Sequence, residues 1–155
     1  LESESIPVVP FHLKVEIICK EHFSVLPMQR MPFSVVNKWY NGKCDVLTYQ
    51  LDELVGTKLR ALYQRRKGRD LYDLYKALTT SDINIDNVLA CYQKYMEFVV
   101  DHIPTYKEFI INMEDKMQDD EFLGDTMQLL RPDDEFNPQE GYEVVRTLLL
   151  DRLQK

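Results

Sequence analysis

Between Leu51 and Tyr75 the sequence reads LDELVGTKLRALYQRRKGRDLYDLY, and within it six cations, Lys58, Arg60, Arg65, Arg66, Lys67 and Arg69, run up to two carboxylates, Asp70 and Asp73. Clustered ammonium and guanidinium groups suit a polyphosphate, because each offers charge-assisted hydrogen bonds to phosphate oxygens. A helix from Leu51 to Arg66, turning about 100° per residue, places Leu51, Leu54, Val55 and Leu62 on one face with Lys58 in its middle. Arg65, seven residues on, projects the same way, and Arg60 falls on the opposite, solvent side. A lysine on the packed side of a helix needs an anion or a route to water, since an unpaired buried charge is costly. Two readings follow: Lys58 snorkels to solvent or pairs with a structural carboxylate, or Lys58 and Arg65 await a polyphosphate.

The next helix follows Gly68. Asp70 and Asp73 stand three apart and share a face of it, beside an apolar stripe of Leu71, Leu74, Tyr75 and Leu78. An Asp at the N-cap with another at N3 serves local capping and the helix dipole with no further role. The company of so many cations, on a helical hairpin bent at a glycine, favours a site fit to hold a nucleoside triphosphate and orient catalytic groups.

The elements that must position this hairpin are of two kinds. Ahead of it, FHLKVEIIC (Phe11 to Cys19) alternates charged and apolar residues and reads as a strand with Lys14 and Glu16 on one face. Pro27 and Pro32 break the next segment. FSVV and CDVLTY read as two short strands joined by the turn Tyr40-Asn41-Gly42-Lys43. After Gln50 the period is helical throughout, with helices expected over Leu51–Arg66, Asp70–Thr79, Ile85–Ile103, Thr105–Gln118, Asp120–Leu130 and Pro138–Leu153. Thr80-Ser81-Asp82, Pro104 and Asn137-Pro138 mark three of the starts. The expected fold is α+β and mainly α, with a β region over residues 1–50 and a helical bundle over 51–155.

A chain of 155 residues suits one domain with a continuous core. Its net charge of −7 argues against indiscriminate nucleic-acid binding. Cys19, Cys44 and Cys91 form no C-x-x-C pair, which points away from a disulfide framework or a zinc site and toward a reducing cytoplasm. No apolar run is long enough to span a bilayer, so no membrane is expected. His12, His22 and His102 have no ligand spacing. Trp39 and Tyr40 could stack on a base but read first as packing of a small core. Tyr92, Tyr95, Met96, Phe98 and Val99, and then Phe109, Ile110, Met113 and Met117, read as core stripes. The acidic stretch from Glu114 to Asp125 reads as a solvated face that could also meet a basic protein.

The string TKLRALYQRRKGRDLYDLY closely resembles the signature of the AbiEii/AbiGii toxin family of nucleotidyltransferases, with Lys58, Arg65, Arg69, Asp70, Asp73 and Leu74 matching position by position. LKVEI, with Lys14 and Glu16, resembles the family's preceding strand, and the tail through EFLGDTMQLL is similar to its C-terminal half. The resemblance implies a polymerase β-like core, of which residues 1–50 are the end, fused to the helical region. It implies transfer of a nucleotide from an NTP with Mg2+, to an acceptor such as tRNA, by a toxin restrained by an antitoxin. It assigns Lys58, Asp70 and Asp73 to catalysis, Lys58, Arg65 and Arg69 to the triphosphate, and Glu16 to the metal.

The polymerase β-like reaction also needs a Gly-Ser motif and a D-x-D pair. The sequence contains neither, and DINID (Asp82 to Asp86) has the wrong spacing. The chain also opens on Leu1, so the expectation is the C-terminal part of a longer enzyme, inactive alone and itself requiring no cofactor. The alternative is a non-catalytic helical module that binds nucleotide, RNA or protein.

Overall fold

The computed structural model describes residues 14–15, 21–127, 129–130 and 134–154. Strands β1 (Gln29–Val36) and β2 (Asn41–Thr48) pair antiparallel, with Gln29 opposite Thr48 and Val36 opposite Asn41. The turn is Asn37 to Tyr40, earlier than the expected Tyr40 to Lys43. Asn37 sets it: its Oδ1 accepts from the N–H groups of Trp39 and Tyr40, both at 2.9 Å, and its own N–H donates to the Tyr40 carbonyl at 3.1 Å. That side-chain mimic of a backbone turn draws Asn41 and Gly42 into β2. Pro32 does not break β1 but sits inside it opposite Asp45, which suits a strand that among the described residues has a partner on one side alone. The expected strand from Phe11 to Cys19 lies outside the described residues except at Lys14 and Val15, which are not in regular secondary structure.

The helical region follows as α1 (Leu51–Gln64), α2 (Gly68–Thr80), α3 (Ile85–Val99), α4 (Tyr106–Lys116), α5 (Asp120–Gly124) and α6 (Pro138–Leu148), closing on a 3-10 turn at Leu150–Gln154. An N-terminal two-stranded sheet followed by a helical bundle is the expected α+β, mainly α architecture. Thr105 and Glu108 close a reciprocal capping box on α4. Asn137 accepts from the amides of Gln139 and Glu140, with Pro138 in the first turn of α6. The cap of α3 is Asn84 rather than Thr80 to Asp82. α3 stops at Val99, short of Ile103, where β-branched Val100 takes extended backbone. α5 ends at Gly124 rather than Leu130, glycine being a poor residue from which to continue a helix.

The core gathers around α1. Val55, Leu59 and Leu62 are buried, whereas Leu51 and Leu54 are exposed, so the packed face is rotated from the expected one. Gly56 lets α3 approach: a Cβ there would lie 2.8 Å from both Cys91 Cβ and the Val88 carbonyl oxygen. Tyr92, Tyr95, Met96, Phe109 and Met113 are buried as expected, but Phe98 and Val99 are exposed. Burial raises the Cys91 thiol to about 11, which keeps it protonated and inert.

Glu53 and Lys116, both buried, tie elements of the bundle together. Glu53 is fully buried and accepts from the amides of Val25 (2.8 Å) and Leu26 (3.0 Å) and from the Tyr95 hydroxyl (2.8 Å). It therefore ties the segment before β1 to α1 and α3. Lys116, at the end of α4, donates to the carbonyls of Leu62 and Tyr63, the latter at 2.9 Å. It satisfies carbonyls in the last turn of α1 that the helix itself cannot. Burial, with the nearby Arg66 charge, lowers the Lys116 ammonium to about 8.

A lysine in an unfolded chain titrates near about 10.4, so between about pH 8 and that value the unfolded state binds more protons and the Lys116 contribution to stability rises with pH. Urea unfolding of the wild type and Lys116→Met at about pH 7.5 and about pH 9.5 is expected to show the wild type gaining on the variant at the higher pH. A difference independent of pH would mean that the amine is not desolvated.

Candidate functional site

α1 releases the chain at Gln64, Arg65 adopts extended backbone, and α2 begins three residues later. Gly68 makes so tight a connection possible: a Cβ there would lie 2.0 Å from the Phe122 carbonyl oxygen of α5. The N-cap position of α2 is Lys67, and no side chain caps the helix. Asp70 is thus not a capping residue, and its carboxylate is turned to α1.

There it is fully buried and doubly engaged by Arg65, whose Nε donates to Oδ2 and Nη2 to Oδ1, both at 2.6 Å. Lys58 Nζ lies 3.3 Å from Asp70 Oδ1 and 2.8 Å from Asp73 Oδ2. The four residues interlock: Asp70 takes both cations, and Lys58 bridges both carboxylates. The hydrogen bond to Asp70 raises the Arg65 pKa above its ordinary value and fixes the positive charge. Yet the cluster is open on one side, with the side chains of Lys58, Arg65 and Asp73 retaining 32%, 51% and 47% exposure. Lys58 sits at the rim of the packed face, not in its middle.

The remaining cations are mostly consumed by the protein itself. Arg60, expected on the solvent side, is one of the less exposed: it pairs with Glu21 at 2.6 Å and lies over the Tyr95 ring. Arg66 pairs with Asp115, and with Asp119 at 2.6 Å. Its bond to Asp119 is the chief reason that carboxylate titrates below the usual range. Lys67 lies 3.7 Å from Glu121 and 3.9 Å from Asp125. The backbone N–H of Arg69 donates to Asp125 at 3.1 Å, while Arg69 itself is exposed. The acidic stretch is thus a solvated face, with Asp115 and Glu121 largely exposed, that also answers the basic run of its own chain.

Sequence reasoning missed Glu53, whose only signal is a carboxylate one step from the apolar positions of L-D-E-L-V. It lines, with Glu21, Tyr49, Thr57, Arg60 and Tyr95, a cavity of about 280 Å³ on the face of α1 that carries Arg60. Of the histidines, His22 is exposed and His102 bonds Glu108 at 3.3 Å; His12 is outside the described residues.

A divalent cation does not fit the cluster. Both oxygens of Asp70 already accept from cationic donors, and among the described residues no three His, Cys, Asp or Glu side chains gather as a metal site. Glu16 lies outside the described residues. What the arrangement offers is a set of cations, pinned from behind and open in front, which is how a protein prepares to receive a multivalent anion.

Burial separates the two aspartates energetically. Asp70→Asn should cost about 2–4 kcal/mol by leaving the Arg65 fork without its carboxylate, and Asp73→Asn less than about 1 kcal/mol. Urea denaturation checks both, and equal losses would contradict the burial difference.

The family model for the nucleotidyl transferase AbiEii toxin of type IV toxin-antitoxin systems matches residues 3–145. No curated protein and no solved structure gives a significant match. The match takes in the hairpin, both aspartates and most of the bundle, and the chain belongs to the AbiEii family of nucleotidyltransferase toxins.

Proposed function

We propose that the chain is the C-terminal portion of an enzyme that transfers a nucleotide from an NTP to an acceptor such as tRNA, with Lys58, Arg65 and Arg69 holding the triphosphate. The observation that carries this reading is the double 2.6 Å clamp of buried Asp70 on half-exposed Arg65. A guanidinium held in this way presents its outer edge to a phosphate without first losing side-chain freedom. Lys58 is the exchangeable element: its partner Asp73 is half exposed, so a triphosphate can draw the ammonium away from it at little cost. Asp70 acts through the cations it fixes, and Asp73 is the carboxylate left open to a substrate.

In the full enzyme the triphosphate travels with Mg2+, and the seat of that ion would have to be built from carboxylates other than Asp70 and Asp73, Glu16 among them. The chain has no Gly-Ser dipeptide and no D-x-D pair, which supports assigning residues 1–50 to the end of a core whose gripping and metal-binding motifs lie elsewhere. The same lack favours the second reading for the 155 residues taken alone, a module that binds a nucleotide without transferring it. By family the chain is proposed to work in a toxin-antitoxin pair, and its cysteine pattern suits a reducing cytoplasm. Among the described residues no helix is long and apolar enough to cross a membrane.

The complete enzyme carrying Lys58→Ala should lose about a hundredfold or more in nucleotide transfer while its thermal melting is nearly unchanged. Asp70→Ala is a poorer probe because it also unpairs a buried site. The 155-residue chain alone should give no metal-dependent labelling of RNA from radiolabelled NTP. Full activity in the Lys58→Ala enzyme would remove that residue from the site, and labelling by the short chain would show that the missing motifs are not needed.

A further inference from the structure

We propose that the β1–β2 hairpin is an arm for single-stranded nucleic acid, which stacks unpaired bases on Trp39 and Tyr40 and neutralises the backbone with Arg30, Lys38 and Lys43. It rests on the nucleotidyl-transfer reading only in calling that strand the acceptor.

Among the described residues the two strands make their main contacts with each other, not with a helix. The aromatics of the arm are accordingly bare rather than packed: Trp39 is 74% exposed, Tyr40 64% and Phe33 54%. Isolated exposed apolar residues, such as Phe33 within β1, need no explanation, but the two rings of Trp39 and Tyr40 side by side at the tip do. These rings are also held in place. The Asn37 turn fixes the backbone of Trp39 and Tyr40. The Tyr40 ring lies where any side chain on Gly42 would stand, within 2.3–2.7 Å of the Cβ position. Lys38 Nζ sits 4.0 Å from the centre of the Trp39 ring, placing a cation beside a stacking surface.

The charge of the arm opposes that of the molecule. From Gln29 to Thr48 there are three cations, Arg30, Lys38 and Lys43, and one carboxylate, Asp45, in a chain of net charge −7. The register places Arg30 and Lys43 on one face with Asp45 between them, since Arg30 is opposite Leu47, Asp45 opposite Pro32 and Lys43 opposite Ser34. Phe33, opposite Cys44, shares the other face with Gly42, under the Tyr40 ring. Trp39 and Lys38 lie at the turn between the faces. Lys38 and Lys43 beside the bare rings of the tip match a single strand, whose backbone is anionic and whose bases are free to stack, and Arg30 continues the track beyond Asp45. A duplex offers the rings nothing, because its bases are already stacked. An acidic protein would use the cations and leave the rings idle.

Trp39 is the only tryptophan, so its emission reports on the site directly. Titrating the 155-residue protein with an unstructured mixed-sequence RNA oligonucleotide should quench that emission, and the matching duplex should not. Binding followed by anisotropy of the labelled single strand should fall with salt at a logarithmic slope of about −2, as expected for three cations on a single strand. Lys38→Ala with Lys43→Ala should reduce that slope to about −0.7. Trp39→Ala should weaken binding about tenfold or more, and Trp39→Phe should restore most of it.

Binding of ATP, measured by equilibrium dialysis and assigned above to Lys58, should be unchanged in all the hairpin variants. Failure of the triphosphate reading would therefore appear in dialysis, and failure of the arm in anisotropy. The proposal is overturned if the single strand leaves Trp39 emission unchanged, if Trp39→Ala binds RNA as the wild type does, or if the duplex binds equally well. It is also overturned if the variants keep RNA binding and lose self-association in sedimentation, which would make the arm a protein interface.

Discussion

Asp70 carries a carboxylate into the interior, and the connection between α1 and α2 is arranged around that fact. A buried carboxylate without partners would be a large liability. Here both oxygens are met by the Arg65 fork, and one also by Lys58. Arg65 can supply the fork only because the helix has ended and its backbone is extended. Asp70 can receive it only because Gly68 brings α2 against the Phe122 carbonyl without a side chain in the way. The constraint runs in both directions: the pair fixes the hairpin, and the hairpin keeps two cations at the surface with their outer sides in water. Lys58 and Arg65 are thus paired to Asp70 and Asp73 on their inner side and remain partly exposed on the outer.

Glu53 repeats the device on another face of α1. Its carboxylate takes two backbone amides from the segment before β1 and the Tyr95 hydroxyl from α3. Arg60 and Glu21 pair beside it, and Phe23 stacks on Tyr95 with ring centres 4.8 Å apart. α1 thus carries one anion–cation assembly toward α2 and another toward the N-terminal segment. Lys116 completes the end of the same helix by donating to its last carbonyls. α1 joins the N-terminal segment to α2, α3 and α4, through polar contacts as well as through its apolar face.

The charge distribution follows from the same economy. Arg66 and Lys67 are answered by Asp115, Asp119, Glu121 and Asp125, so an acidic stretch and a basic stretch far apart in sequence cancel in space. Arg69 and the hairpin cations are exposed beyond that cancellation, and an overall negative charge conceals local surfaces of the opposite sign. Net charge limits indiscriminate binding without ruling out a local arm.

The sequence alone was enough for the order of the elements from β1 onward, the hairpin at Gly68 and the cap at Asn137-Pro138, because each depends on local chemistry: helical period, turn residues and N-cap donors. It also held the one residue string from whose resemblance the family came. It misplaced what depends on partners distant in the chain. Helical spacing put Lys58 in the centre of a packed face and Arg60 in solvent, and the packing of α3 and α2 on α1 rotated that face. Asp70 and a capping aspartate are identical in sequence, and only the approach of Arg65 separates them. Trp39 and Tyr40 resembled core residues until the turn at Asn37 left them bare. The tertiary structure decided which charges are paired and which are open, since pairing is set by distances between elements that no spacing within one element records.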